Sequence, residues 1–122
     1  MALRCLIVDD SERFLDVARS SLNRDGIEVV GTATTSATAL EQTGKLRPDV
    51  VLVDLGLGSE SGLDLARKLV DDYPYLESRV VIVSTQAEEE VADLIRASAA
   101  IGFIPKRALS PTTVRRLVEK GG

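Results

Sequence analysis

Two rhythms of apolar residues alternate along this chain. Apolar runs at 3–8, 50–53, 80–83 and 101–104 read as strands, and so does the more mixed stretch 28–33. Between them, apolar positions recur every three to four residues, the spacing of one buried helix face. Ser11 caps a helix whose apolar positions are Phe14, Val17, Ala18 and Leu22, and Asp25-Gly26 ends it. A second, weakly patterned helix runs from Ser36 to about Lys45 and stops near Pro48. The third, 61–72, turns Leu65, Ala66, Leu69 and Val70 inward. The fourth, 88–99, places Val91, Leu94, Ile95 and Ser98 on one face and opens on three glutamates, which suit a helix N-terminus. The last opens on Ser110-Pro111, a cap followed by proline at the first helical position. It buries Val114, Leu117 and Val118 and turns Arg115, Arg116 and Lys120 to solvent.

These are five βα units with no internal repeat and no long linker. Strands apolar on both faces belong in a parallel sheet covered on both sides, and right-handed crossovers put helices there. The expected fold is α/β, a doubly wound five-stranded parallel sheet. With 122 residues, the chain suits one domain spanning 1–122. In such a sheet, ligands bind beyond the carboxyl ends of the strands.

The residues at those ends carry the chemistry. The first strand ends in Asp9-Asp10, the third in Asp54, the fourth in Ser84-Thr85 and the fifth in Lys106. Three clustered carboxylates repel one another unless a cation sits among them, and a hard divalent ion such as Mg²⁺ takes oxygen ligands. Singly, each has a plainer explanation: Asp9-Asp10 as a helix cap, Asp54 as a turn former, Ser84 as a loop start, Lys106 as a solvated charge. Their joint delivery to one rim favours a metal site.

Composition narrows the function further. Without histidine, the chain has no His-based zinc site, no Ser-His-Asp triad and no phosphohistidine of its own. Its single cysteine, Cys5, forms no internal disulfide, which fits a reducing cytoplasm, and neither a membrane span nor a signal peptide is visible. The net charge of −4 is uneven: residues 1–95 hold nine basic and eighteen acidic residues, and residues 96–122 hold six basic and one acidic. An acidic body argues against wholesale nucleic-acid binding, and the basic end leaves room for an acidic partner or for a plain solvated helix face.

The set Val8-Asp9-Asp10-Ser11, Val51-Leu-Val-Asp54 with Gly62 downstream, Val81-Ile-Val-Ser84 and Gly102-Phe-Ile-Pro-Lys106 resembles the receiver domain of two-component response regulators. The resemblance covers nearly the whole chain and leans toward regulators with a helix-turn-helix DNA-binding output. It implies the strand order 2-1-3-4-5. It implies that Asp54 accepts a phosphoryl group from a sensor histidine kinase. Mg²⁺ is then held by Asp10, Asp54 and the Gly56 backbone carbonyl, with Asp9 acting through water. Lys106 and Ser84 meet the phosphoryl oxygens, and the chain assists its own phosphorylation and dephosphorylation rather than acting as an enzyme on other substrates. Ser84 and Phe103 form the switch, which acts on the surface of the fourth helix, fifth strand and fifth helix. That surface is where a homodimer or partner contact through Arg96, Arg107, Arg115 or Arg116 is expected. DNA is reached only through an output domain that these residues do not contain, and the closing Gly121-Gly122 fits a linker start or a cut point.

Three positions depart from the common pattern. Gly58 stands where proline is frequent, giving the loop 55–61 two glycines and more mobility. Thr85 replaces a smaller residue, and its bulk is expected to restrict small phosphodonors or water. Gly56 and Gln86 occupy positions that influence how long the acyl phosphate lasts. Two other functions compete. One is a receiver-like interaction module that works without phosphorylation, which the retained Asp54 and Lys106 disfavour. The other is a phosphohydrolase with an aspartate nucleophile, which lacks a second carboxylate two residues after either Asp9 or Asp54.

Overall fold

The computed structural model describes residues 2–121, so Gly122 of the closing pair lies outside the described residues. In chain order the main elements are β1 (Leu3–Val8), α1 (Glu12–Leu22), β2 (Ile27–Ala33), α2 (Ser36–Leu46), β3 (Val50–Asp54), α3 (Gly62–Asp72), β4 (Val80–Ser84), α4 (Glu88–Arg96), β5 (Gly102–Pro105) and α5 (Pro111–Gly121). The five strands form one parallel sheet in the order β2-β1-β3-β4-β5, as the resemblance implied. The order reverses beside β1, so the carboxyl ends of β1 and β3 flank the crevice where such sheets bind ligands.

Alternation along each strand divides the core in two. On one face, Leu6, Val8, Val51, Val53, Val80 and Ile82 pack with Ala39 of α2, Leu65 and Leu69 of α3, and Val91 and Ile95 of α4. On the other, Cys5, Ile7, Val50, Leu52, Val81, Val83 and Ile104 pack with Leu15, Ala18 and Leu22 of α1 and with Val114 and Val118 of α5. Each large aliphatic side chain buried this way contributes roughly 1.5–3 kcal/mol.

Two helix faces differ from the sequence reading. Val17 is 58% exposed and Leu94 is 54% exposed. In α1 the buried arc is Leu15, Ala18 and Leu22, and at 3.6 residues per turn Val17 points well away from it. Leu94 stands on the rim of the groove between α3 and α4, beside Leu63, Asp64 and Arg67. Helix α4 is also shorter than expected. The Ser98 hydroxyl donates to the Ile95 carbonyl at 2.7 Å and accepts the Ala100 N–H at 3.1 Å, competing with the helical ladder.

The loop after β3 has its own structure. Gly56–Leu57 pairs antiparallel with Glu60–Ser61, closed by Gly58 and Ser59. Gly58 has a φ of 64°. A glycine with positive φ at the first central position is the signature of a type II′ hairpin turn. The glycine read as a source of mobility thus serves a defined turn. Glu60 ties the hairpin to α2, its Oε1 accepting the Ser36 N–H at 2.9 Å.

Candidate functional site: an acidic crevice at the strand ends

The strand ends bring Asp9, Asp10 and Asp54 together, each with one carboxylate oxygen within 4.8 Å of the others'. Asp9 follows the last residue of β1, Asp10 begins the turn into α1, and Asp54 is the last residue of β3. Asp9 does not itself cap α1; it holds the residue that does. Its Oδ1 accepts the Ser11 N–H at 2.8 Å, while Ser11 itself caps α1 by accepting the Phe14 N–H at 3.2 Å. Its Oδ2 is buried and faces the site. Asp10 is exposed, with the Gly58 turn beside its Oδ2.

Lys106, the first residue after β5, supplies the positive charge. Its Nζ lies 2.7 Å from Asp9 Oδ2 and 3.7 Å from Asp54 Oδ1. Among the described residues, that buried oxygen has the Lys106 ammonium as its close partner and accepts no further hydrogen bond. A buried carboxylate oxygen held by one ammonium, in a group of three acids and one base, fits the oxygen ligand set of a hard metal ion. Among the described residues, these three carboxylates can hold a metal.

The surroundings raise the proton affinity of Asp54. Burial comes first, then the Asp9 charge, and together they push its carboxyl up to about 6. Asp10 adds to the rise, while Lys106 and the Gly56 N–H oppose it. The side chain is only 12% exposed and looks into an open cavity of about 370 Å³. Leu55, Gly56, Ser84, Thr85, Gln86 and Lys106 line that cavity with it. Ser84 Oγ accepts the Gln86 N–H at 3.1 Å, so the hydroxyl hydrogen remains free to donate.

The remaining predicted residues sit elsewhere. Phe103 is outside this cavity, half-buried on the opposite side of β5 from Ile104, in a groove with Glu88, Ala92, Ile95, Arg96 and Leu117. Arg96 pairs with Asp93 along α4, and Arg115 donates to the Asp25 carbonyl, so both have partners within the chain. Arg107 and Arg116 are exposed. The sequence reading named Gly62 without its reason: a Cβ there would overlap the Asp54 carbonyl group and come within 3.0 Å of the Leu55 Cα. Phe14, taken only as a core residue, lies against Lys106. Nothing in the local pattern signals this contact, which joins residues distant in the chain.

The family model described as the response regulator receiver domain matches residues 5–119. This chain belongs to that family. The receiver domain is 32% identical to the response regulator GacA of Pseudomonas viridiflava over 87% of this chain and 49% of that one. It is 36% identical to a protein-glutamate methylesterase/protein-glutamine glutaminase of Alkalilimnicola ehrlichii, over 88% of this chain and 27% of that one. The chain thus spans between about a quarter and a half of these curated relatives. Among solved structures, the signal receiver domain of the putative response regulator NarL from Mycobacterium tuberculosis superposes with a TM-score of 0.81 at 26% identity, covering 98% of this receiver and 96% of that chain. A CheY-like receiver domain protein from Methanospirillum hungatei gives 0.77 at 25% identity, covering 100% of both. Among the described residues, no helix is long and apolar enough to cross a membrane.

Proposed function

We propose that this receiver domain is the phosphoacceptor of a two-component phosphorelay, that Asp54 carries the phosphoryl group, and that Mg²⁺ is its cofactor. The observation that carries this is the convergence of the Asp9, Asp10 and Asp54 carboxylates, with the Lys106 ammonium beside Asp9 and Asp54.

Asp10, Asp54 and the Gly56 carbonyl would hold the ion, with Asp9 supporting them. When bound, Mg²⁺ supplies positive charge against the phosphoryl oxygens. The donor is a phosphohistidine on a sensor kinase. An Asp54 carboxylate oxygen forms the new bond to phosphorus as the N–P bond breaks, and the bonding pair returns to the imidazole nitrogen. Lys106 stabilises the charge gathering on the phosphoryl oxygens, and the Ser84 hydroxyl donates to one of them. Gly56 and Gln86, on the cavity wall, govern water's access and the lifetime of the acyl phosphate. Movement of Ser84 is relayed to Phe103, changing the surface of α4, β5 and α5, where the exposed Arg107 and Arg116 meet a partner or a second copy. The domain works in the cytoplasm, as one receiver unit of 1–122, and regulates transcription through an output module.

Intact mass after incubation with acetyl phosphate tests the reading. The expected result is a Mg²⁺-dependent gain of one phosphoryl group that Asp54→Asn abolishes. If Asp54→Asn gains the group as readily as the wild type, the acceptor assignment is wrong. If beryllofluoride and a cognate kinase also leave the wild type unchanged, the chain is an unphosphorylated interaction module.

A further inference from the structure

Lys106 has a third neighbour that the phosphoacceptor reading does not use. Its Nζ lies 4.2 Å from the centroid of the Phe14 ring. Phe14 sits in the first turn of α1, and the turn that delivers it also delivers Asp9. Asp9 Oδ1 holds the Ser11 N–H, and Ser11 Oγ holds the Phe14 N–H. The ring is half-buried against the core cluster beneath α1 and α5. It is therefore fixed on its far side while one face meets the ammonium.

We propose that Phe14 is a positioning residue for Lys106, seating the ammonium beside Asp54 and keeping it there when a divalent cation occupies the carboxylates. The proposal rests on the metal and acceptor assignment above. The argument is one of competition. Asp9 holds Lys106 by charge, and a divalent cation draws on the same carboxylates. A hard cation takes oxygen ligands, which a ring face does not offer. A divalent cation offsets most of the carboxylate charge and so weakens the hold of Asp9 and Asp54 on Nζ, while the attraction of the ring is unchanged. The lysine needs such a seat. Its stem is flexible and its head strongly hydrated, and its backbone belongs only to the single 3₁₀ turn Lys106–Ala108. Simple packing makes a different prediction, because any apolar side chain of similar volume would then serve at position 14.

Proton NMR of the full chain decides between them. Ring current from Phe14 shifts the Lys106 ε-methylene protons upfield. The shift is expected in the wild type and in Phe14→Tyr, is retained at saturating Mg²⁺, and is absent from Phe14→Leu. At saturating Mg²⁺, phosphoryl uptake by Phe14→Leu falls roughly three- to tenfold and Phe14→Tyr recovers it, with Mg²⁺ affinity unchanged in both. Phe14→Met replaces Phe14→Leu if the latter does not fold. Loss of the ring-current shift on adding Mg²⁺, or a wild-type rate in the aliphatic variant, overturns the positioning role alone. A wild-type chain that neither binds Mg²⁺ nor takes up phosphoryl, while still showing the shift, overturns the acceptor assignment instead.

Discussion

The Lys106 ammonium stands closer to Asp9 than to Asp54, 2.7 Å against 3.7 Å. Asp9 is almost fully buried, so without Lys106 it would be a buried carboxylate that, among the described residues, keeps the Ser11 N–H as its partner. Removing one member of a buried ion pair costs about 3–5 kcal/mol, and partial exposure of Lys106 places this case at the low end. Lys106→Ala is therefore expected to lower the unfolding midpoint clearly in EDTA. Saturating Mg²⁺ should recover more stability in the variant than in the wild type, because the ion no longer competes with an ammonium. Urea unfolding of both proteins with and without Mg²⁺ checks this, and equal Mg²⁺ gains would count against it.

Asp54 gives a pH dependence of definite sign. Its folded-state carboxyl is raised to about 6 from an ordinary value of 3.8, with burial as the main cause. A carboxyl raised on folding is a liability above pH 6, where the native state must hold it ionised in unfavourable surroundings. The liability is relieved as pH falls from 6 toward 4, where the native state binds the proton first. Asp54→Asn is thus expected to be more stable than the wild type at pH 8 without Mg²⁺, and the difference should shrink between pH 6 and 4. Denaturant midpoints at pH 8, 6 and 4.5 measure it. A gap that does not change with pH would assign the gain to something other than ionisation.

The sheet and the cluster of polar residues at its strand ends were legible because their signals are local and redundant. The central runs 50–53 and 80–83 have no polar positions to confuse the pattern, and Asp9, Asp54, Ser84 and Lys106 each stand where an apolar run stops. Helix faces were less legible where apolar residues occur on both sides. Val17 and Leu94 fit the spacing but not the buried arc. The hairpin at Gly56–Ser61 depends on one positive φ, which a glycine permits without announcing. The meeting of Phe14 with Lys106 joins two units far apart in sequence, and periodicity within an element carries no information about such contacts.

Cys5 lies in the middle of β1 with no exposed surface, and burial pushes its thiol up to about 12. Thiolate is the reactive form, so the native thiol is doubly protected by lack of access and lack of ionisation. Labelling by a thiol-reactive disulfide at pH 8 is expected to proceed only through opening of the sheet, and to slow when Mg²⁺ stabilises the fold. A rapid stoichiometric reaction in native buffer would contradict the placement of Cys5 in the core.

The two glycines flanking the acceptor loop should respond in opposite ways. The Gly62 N–H donates to the Leu55 carbonyl at 2.8 Å, which draws the start of α3 against the end of β3. A methyl at Gly62 has no room, because the Asp54 carbonyl fills its place and backbone cannot swing aside as a side chain can. A Cβ at Gly56 meets nothing within 4 Å, and Gly56 has no positive φ. Gly62→Ala is expected to cost at least the 1–3 kcal/mol typical of overpacking, and to weaken Mg²⁺ binding by moving Asp54. Gly56→Ala should leave the urea midpoint nearly unchanged, so any change it causes in phosphoryl lifetime reflects the cavity wall and not the fold. Similar losses of stability in the two variants would mean that the loop is held by its flexibility rather than by the contact between Gly62 and the acceptor strand.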